Sequence, residues 1–174
     1  MPQINESAGW RCTARIEDFE GEWRPGADPV RVVEASNLLM HGGASLLWEH
    51  SRGNGTTTAG QALTYLNNAN AAIGAGTGAT AVAATQTNLQ GATRARKGMD
   101  PNYPEHTDGT GSGTHTINYR ATFGTADANF DWQEVGVFNS PTDGIGRMLN
   151  RLVSAIGTKT SAVSRVVTVT ISIA

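Results

Sequence analysis

The sequence predicts a mainly β fold, an antiparallel β-sandwich or jelly-roll-like domain with one packed helix at about residues 37–50. Apolar and polar side chains alternate in three separate runs, at residues 10–17, 114–123 and 166–173. A period of two places successive side chains on opposite faces of a strand, so each run indicates a half-buried strand. Gly, Pro, Asp, Asn and Ser punctuate the chain between such runs, as is typical of the turns between strands.

The N-terminal elements follow in chain order. The first strand covers residues 10–17, and a second short strand, VRVVE, follows Pro29. From Ser36 the apolar residues take helical spacing, which predicts the helix at 37–50 with Ser36 or Asn37 as its N-cap and Gly53 at its end.

Two glycines, Gly42 and Gly43, lie inside the predicted helix. Each costs about 1 kcal/mol relative to alanine in a helix interior. We therefore expect close packing at this point, against a sheet or a neighbouring subunit.

The middle of the chain, residues 56–98, is the least regular part. We expect an apolar strand around residues 69–73 that ends at the glycines, and a short helical turn near residues 81–89. Residues 99–113, with two prolines and three glycines, predict a loop.

The composition fits one structural domain with an N-terminal extension. A chain of 174 residues is long enough for one domain with its own core, and we divide it into an N-terminal strand and extended arm (1–29) and a β-sandwich domain (30–174). The lone cysteine, Cys12, has no disulfide partner in the chain and is expected to be a small buried residue.

Charge and hydropathy point away from nucleic acid and membranes. Thirteen Lys and Arg against fifteen Asp and Glu give a formal charge of -2 without blocks of like charge, so no nucleic-acid partner is expected. The start of the chain lacks the pattern of a signal peptide, and no apolar run reaches membrane-spanning length. We expect a protein made as a soluble cytoplasmic product that does not act at a membrane.

The motifs that could bind cofactors or metals have simpler explanations. Glycine runs at residues 74–78 and 109–113 lack the order of a dinucleotide fingerprint, and no Lys-Ser/Thr pair follows them as in a phosphate-binding loop. Turn glycines explain both. The histidines are scattered without metal-site spacing, so we expect no cofactor and no metal; they are His41, His50, His106 and His115.

Three carboxylates, Asp127, Asp131 and Glu134, lie within eight residues and could form an acid/base pair or a calcium site. Their order does not fit the twelve-residue calcium loop, and turn and strand-end roles explain them. We expect no catalytic residues. A depolymerase or lysin activity remains the enzymatic alternative.

The interface candidates are one basic cluster and two tryptophans. Arg94, Arg96 and Lys97 form the cluster, and it could meet an acidic patch of a partner or be solvated. Trp10 and Trp23 lie in the N-terminal segment, where residues 1 to about 26 could form an arm across a neighbouring subunit. Four tryptophans are expected to anchor the core or an interface: Trp10, Trp23, Trp48 and Trp132.

Four blocks of the sequence together resemble a group of small structural proteins encoded by tailed bacteriophages, over roughly residues 30–174. A related pattern occurs in the N-terminal domains of phage tail fibres, but we expect no shaft and no receptor-binding tip, because the sequence ends with its last predicted strand. The blocks are EASNLLMHGGASLLWE, NNANAAIGAGTGATAVAATQTNLQGATRARKGMD, INYRATFGTADANFDWQEVGVFNS and GTKTSAVSRVVTVTISIA.

The resemblance implies a virion component without enzymatic activity. A compact domain of this kind is similar to capsid decoration or cement proteins, whose partner is the major capsid protein and which form symmetric oligomers, here a dimer or trimer. The alternative is a tail, collar or tail-fibre attachment protein. A glycan-binding adhesin is also open, with Tyr103 and Trp23 as its candidate aromatic platform.

Overall fold

The computed structural model describes residues 9–53, 64–111 and 113–173, which form two five-stranded antiparallel sheets and one helix. This confirms a mainly β sandwich with one packed helix. The elements are β1 (Trp10–Glu20), β2 (Arg31–Ser36), β3 (Leu38–Leu39), α1 (His41–Arg52), β4 (Ala72–Gly76), β5 (Arg94–Gly98), β6 (Glu105–His106), β7 (Thr116–Phe123), β8 (Asp131–Phe138), β9 (Met148–Thr158) and β10 (Val163–Ile173).

The first sheet has the order β2-β1-β10-β7-β6 and contains all three alternating runs of the sequence. β1 pairs with β10 along its whole length, from Trp10 opposite Ile173 to Glu20 opposite Val163. Cys12, Ala14 and Ile16 face the core, and the residues between them face outward. The periodicity therefore identified these strands correctly.

The N-terminal strand is an interior strand of this sheet. β1 lies between β2 and β10, so the expected boundary at residue 29 falls between two paired strands. Residues 10–20 are therefore part of the sandwich and do not form an arm that could lie across a neighbour, since β1 pairs with β10 along its whole length and residues 13–18 also pair with β2. Residues 1–8 of the expected arm lie outside the described residues.

The second sheet has the order β3-β9-β8-β4-β5. One face packs against the first sheet through side chains such as Ile73, Val135 and Val137. The other face is also buried, because residues 77–91 (hereafter the cover loop) lie against it and Met40, just before α1, packs there with Leu89 and Phe138. The body of α1 packs through Leu46 on the core between the two sheets. β4 is consequently buried at all five positions.

The helix begins at His41 rather than at residue 37, because Leu38 and Leu39 pair with β9 as strand β3. Met40 is the N-cap and makes no side-chain capping bond, so the expected capping role of Ser36 or Asn37 is wrong. Gly53 ends the helix in the left-handed conformation with φ 62°, as predicted.

The two helix glycines differ in their surroundings. A Cβ on Gly43 would lie 2.3 Å from the backbone oxygen of Leu149, so glycine allows α1 to pack directly against β9. A Cβ on Gly42 would meet no atom of the described residues within 4 Å. The expected close packing therefore occurs at Gly43 only.

Two expectations for the middle of the chain need correction. The strand predicted at residues 69–73 lies at Ala72–Gly76, and its glycines are inside the strand rather than at its end. The short helical turn predicted at residues 81–89 is reduced to one hydrogen-bonded turn, in which the Gln86 N–H donates to the Ala83 carbonyl oxygen over 3.0 Å, and these residues belong to the cover loop. The loop predicted at 99–113 is confirmed for its described residues except for the short strand β6.

Candidate functional site: the covered face of the second sheet

A buried ion pair lies at the centre of the covered face. Glu134 of β8 and Arg151 of β9 have side chains with 0% exposure, and Arg151 Nε donates to Glu134 Oε2 over 2.7 Å. Two charges removed from water require compensation by further hydrogen bonds. The cover loop supplies that compensation.

Three backbone N–H groups of the cover loop donate to the Glu134 carboxylate. Gly78 and Gly91 donate to Oε1 over 3.0 and 2.7 Å, and Gln90 donates to Oε2 over 3.0 Å. Side chains would block this approach, because a Cβ on Gly76 or Gly78 would lie 2.5 Å from Glu134 Oε1. The glycine run at residues 74–78 therefore surrounds a carboxylate of the chain itself, rather than forming the turn that its composition suggested.

Arg151 contacts the loop from the other side of the pair. Its Nη1 donates to the carbonyl oxygen of Thr80 over 3.1 Å and to Gln86 Oε1 over 2.7 Å. One ion pair thus fixes residues from Gly78 to Gly91, although this segment has no regular secondary structure.

Arg96 of β5 organises the neighbouring connection between β8 and β9. Its Nη1 donates to the carbonyl oxygens of Ser140, Thr142 and Ile145 over 3.0, 2.8 and 2.8 Å. Its guanidinium lies 3.6 Å from the centre of the Phe138 ring. Burial lowers the pKa of the Arg96 guanidinium to about 10, so part of the cost of burying this cation is not compensated.

A pocket of about 310 Å³ opens beside Arg96. The first turn of α1, the cover loop and the β8–β9 connection surround it. The lining includes Gly42, Ser45, Asn88, Arg96, Arg147 and Met148. It is a concave site with a mixed apolar and cationic wall, as is typical of pockets for small ligands.

The predicted basic cluster makes contacts within the chain. Arg94 pairs with Asp143 at 2.9 Å, Lys97 pairs with Asp127 at 2.7 Å, and the Arg96 side chain is only 2% exposed. The interpretation of a solvated cluster is therefore wrong for Arg96. These contacts do not test whether the cluster lies in an interface, so that role stays a prediction.

The two interface tryptophans lie in different places. Trp10 borders an apolar groove of about 360 Å³, together with Leu47 of α1 and Ile171 of β10. Trp23 lies against the Arg120 guanidinium at 4.5 Å, and Tyr103 lies 5.6 Å from the same group. The structure thus brings together the two aromatic residues proposed for glycan binding.

The other two tryptophans have opposite environments. Trp132 is completely buried against Phe123 in the core, whereas Trp48 is 71% exposed on α1. Trp132 therefore fulfils the expectation of a core anchor, and Trp48 contributes nothing to the core.

The three carboxylates considered for catalysis have separate surroundings. Asp127 accepts from Lys97 Nζ and from the Gly124 N–H, a turn role as expected. Asp131 begins β8 and is exposed, which agrees with a strand-end role. Glu134 has neither role, because it is the buried partner of Arg151.

Cys12 is buried, as expected. Asn150 Nδ2 donates to its Sγ over 3.0 Å, and burial raises the pKa of the thiol to about 11. The thiolate, which is the nucleophilic form, is scarce at neutral pH. Among the described residues there is no group of three or more His, Cys, Asp or Glu that could hold a metal ion.

The sequence reasoning missed the buried charges of both sheets. Besides Glu134 and Arg151, these include the pairs Arg165–Asp18 and Arg147–Glu49, at 2.6 and 3.0 Å. A usable signal was present, since Arg151 and Arg165 interrupt the apolar runs MLNRLV and SRVVTV. A charge inside a run that is typical of a buried strand indicates a buried partner.

Comparisons with protein-family models, with curated proteins and with solved structures found no match to this chain. Within the described residues, no helix has the length and apolar character needed to cross a membrane.

Proposed function

We propose that the chain is a non-enzymatic structural protein of a tailed-phage virion, a capsid decoration protein that binds the assembled shell and stabilises it. The four sequence blocks support the phage assignment. The observation that carries the structural role is a set of exposed apolar side chains along one lateral side of the sandwich, where β2 and β3 are the edge strands of their sheets. This side is called the β2–β3 edge; it includes Val30, Val32 and Leu38.

The β2–β3 edge has the properties of an association surface. Among the described residues β2 pairs with β1 alone, so its outer backbone groups are open to a further partner. Val30 is 63% exposed and Leu38 is 44% exposed, which adds apolar area beside that open backbone.

The charged residues support a non-enzymatic role. Glu134 is enclosed by four donors, and Lys97 engages Asp127, so these two carboxylates already have structural partners. A protein that binds only the assembled shell stabilises it by mass action, without any reaction. The proposed partner is the major capsid protein, and the proposed state is a dimer or trimer.

The test is a binding assay on phage particles. Purified protein is added to particles that lack it, and occupancy is measured by gel densitometry after separation of heads from tails. We expect binding to heads, lost with Val32→Glu and retained with Ile145→Glu, a control that changes an exposed apolar residue in the β8–β9 connection. Binding to tails alone supports the tail or collar alternative, and binding to neither contradicts the proposal.

A second candidate, a glycan-binding adhesin, is favoured by the arrangement around Arg120. Trp23 and Tyr103 come from distant loops and lie beside one guanidinium, and both are half-buried. Aromatic rings next to charged planar groups are suited to sugar rings and their hydroxyls. A glycan-array signal that disappears with Tyr103→Ala and persists with Tyr65→Ala would support this function. Absence of any signal in the wild-type protein would contradict it.

A further inference from the structure

The pocket beside Arg96 has a cationic wall that the chain does not fully neutralise. Arg94 and Arg96 share one carboxylate, Asp143, at 2.9 and 3.6 Å. Arg147 at the same pocket is paired with Glu49 at 3.0 Å. Two guanidinium groups against one shared carboxylate leave an excess of positive charge beside the pocket, and Arg96 of this group lines it.

One donor of Arg96 is unsatisfied. Its Nη groups bond to the β8–β9 connection and to Asn88, but its Nε is buried without a hydrogen-bond acceptor among the described residues. A buried donor without a partner costs about 1–3 kcal/mol, more when the group is charged. Because Arg96 lines the pocket, a ligand there that reaches this donor would supply the missing acceptor.

The first turn of α1 adds a second, independent source of positive potential. Met40 provides no side-chain cap, and among the described residues no acceptor is found for the Gly42 N–H. The free N–H groups at a helix start carry a partial positive charge and favour anions. Gly42 and Arg96 line the same pocket.

We propose that this pocket binds a small organic anion, whose carboxylate or phosphate group lies between the start of α1 and Arg96 and whose apolar body contacts Met148. The volume of about 310 Å³ is at the lower end of the range of small-ligand pockets. The site is independent of the β2–β3 edge and of the virion proposal.

Nuclear magnetic resonance tests the site directly. The uniformly ¹⁵N-labelled full chain is titrated with inorganic phosphate and, separately, with benzoate, against sodium chloride at equal ionic strength. We expect saturable shifts of the Gly42 amide and the Arg96 Nε–H signals. Saturation with phosphate alone assigns a phosphate ligand, and saturation with benzoate alone assigns a carboxylate. Shifts that do not saturate, or that chloride reproduces, overturn the proposal.

A matched pair of variants at Gly42 tests the electrostatic basis without disturbing Arg96. A side chain has room at this position, since a Cβ on Gly42 would have no atom within 4 Å. Gly42→Glu brings a carboxylate to the helix start and is expected to weaken anion binding at least about tenfold, which corresponds to 1.4 kcal/mol. Gly42→Gln has the same size and is expected to retain binding. Equal loss in both variants overturns the proposed role of charge.

Discussion

The outer faces of the two sheets differ, although the sheets share one core. The outer face of the first sheet is polar and open, with residues such as Thr13 and Arg15 exposed. The outer face of the second sheet is covered by the cover loop, so Glu134 and Arg151 on that face are fully buried. The same chemical pair, Arg with Glu, occurs on both faces.

This difference shows that the surroundings of a pair decide its role. On the first sheet, Arg15 and Glu34 meet at 2.6 Å with side chains that are 47% and 64% exposed. Water screens the attraction between these two charges, and if one partner is removed the other stays solvated. On the second sheet, loss of one partner leaves a charge in the interior, and it also releases the loop that the pair fixes.

The largest effect is expected from breaking the buried pair. Glu134→Gln leaves Arg151 without its counter-ion and weakens three loop hydrogen bonds, and the free energy of unfolding should fall by about 3–5 kcal/mol. Chemical denaturation measures this loss. The double variant Glu134→Gln/Arg151→Met should recover part of it, because no unpaired charge remains. A loss of unfolding free energy as small as that expected for an exposed pair would show that the cover loop does not exclude water from Glu134 and Arg151.

The next effect concerns how α1 packs on β9. Gly43→Ala forces a methyl group against the Leu149 backbone and should destabilise the protein by about 1–3 kcal/mol. Gly42→Ala, one residue away in open space, is the matched control and should be neutral or stabilising by up to about 1 kcal/mol. Thermal unfolding of both variants measures the contrast. Equal behaviour would mean that α1 does not pack on β9 through Gly43.

A smaller effect, dependent on pH, is expected at the contact between β5 and the β7–β8 connection. The hydrogen bond from Lys97 lowers the pKa of Asp127, so the ionised form is favoured in the folded state. This stabilisation is present above the unfolded pKa of about 3.9 and is lost as the pH falls through the folded value.

Asp127→Asn should therefore cost up to about 1 kcal/mol at neutral pH, and the difference from the wild type should shrink towards about pH 3. Urea midpoints across this range measure the change. A difference that grows on acidification would contradict the assigned sign.

The smallest effect is expected on the open face. Glu34→Gln removes one of the two carboxylates that pair with Arg15, the other being Glu17 at 3.0 Å. The free energy of unfolding should change by less than about 0.5 kcal/mol, less still in high salt. The measurement uses the same denaturant series as for Glu134→Gln. A loss comparable with that of Glu134→Gln would remove the distinction between the two faces.

The elements that were predicted well are those exposed on one face. β1, β7 and β10 alternate between core and surface, so a period of two in the sequence identified them. β4 is buried on both faces and contains two glycines, so neither periodicity nor propensity gave its bounds. The start of α1 was misplaced because Leu39 fits the helical spacing of Leu46 and Leu47 but belongs to a strand that pairs with β9.

The candidate site could be predicted only in part. Arg96 was identified as part of a basic cluster, but its burial depends on Phe138 and on the β8–β9 connection, more than 40 residues along the chain. Glu134 was identified as a carboxylate of interest, and its local sequence suggested a strand end. Its environment is created by loop residues Gly78 to Gly91, which no local pattern links to it.

The sequence by itself determined the fold class, the strands β1, β2, β7 and β10 of the first sheet and the end of α1 at Gly53, because periodicity and backbone conformation are local properties. Only the tertiary structure decided that β1 is an interior strand, that the cover loop buries the outer face of the second sheet, and that Arg96 borders a pocket. Burial of a charge depends on what packs above it, and here that partner is distant in the chain.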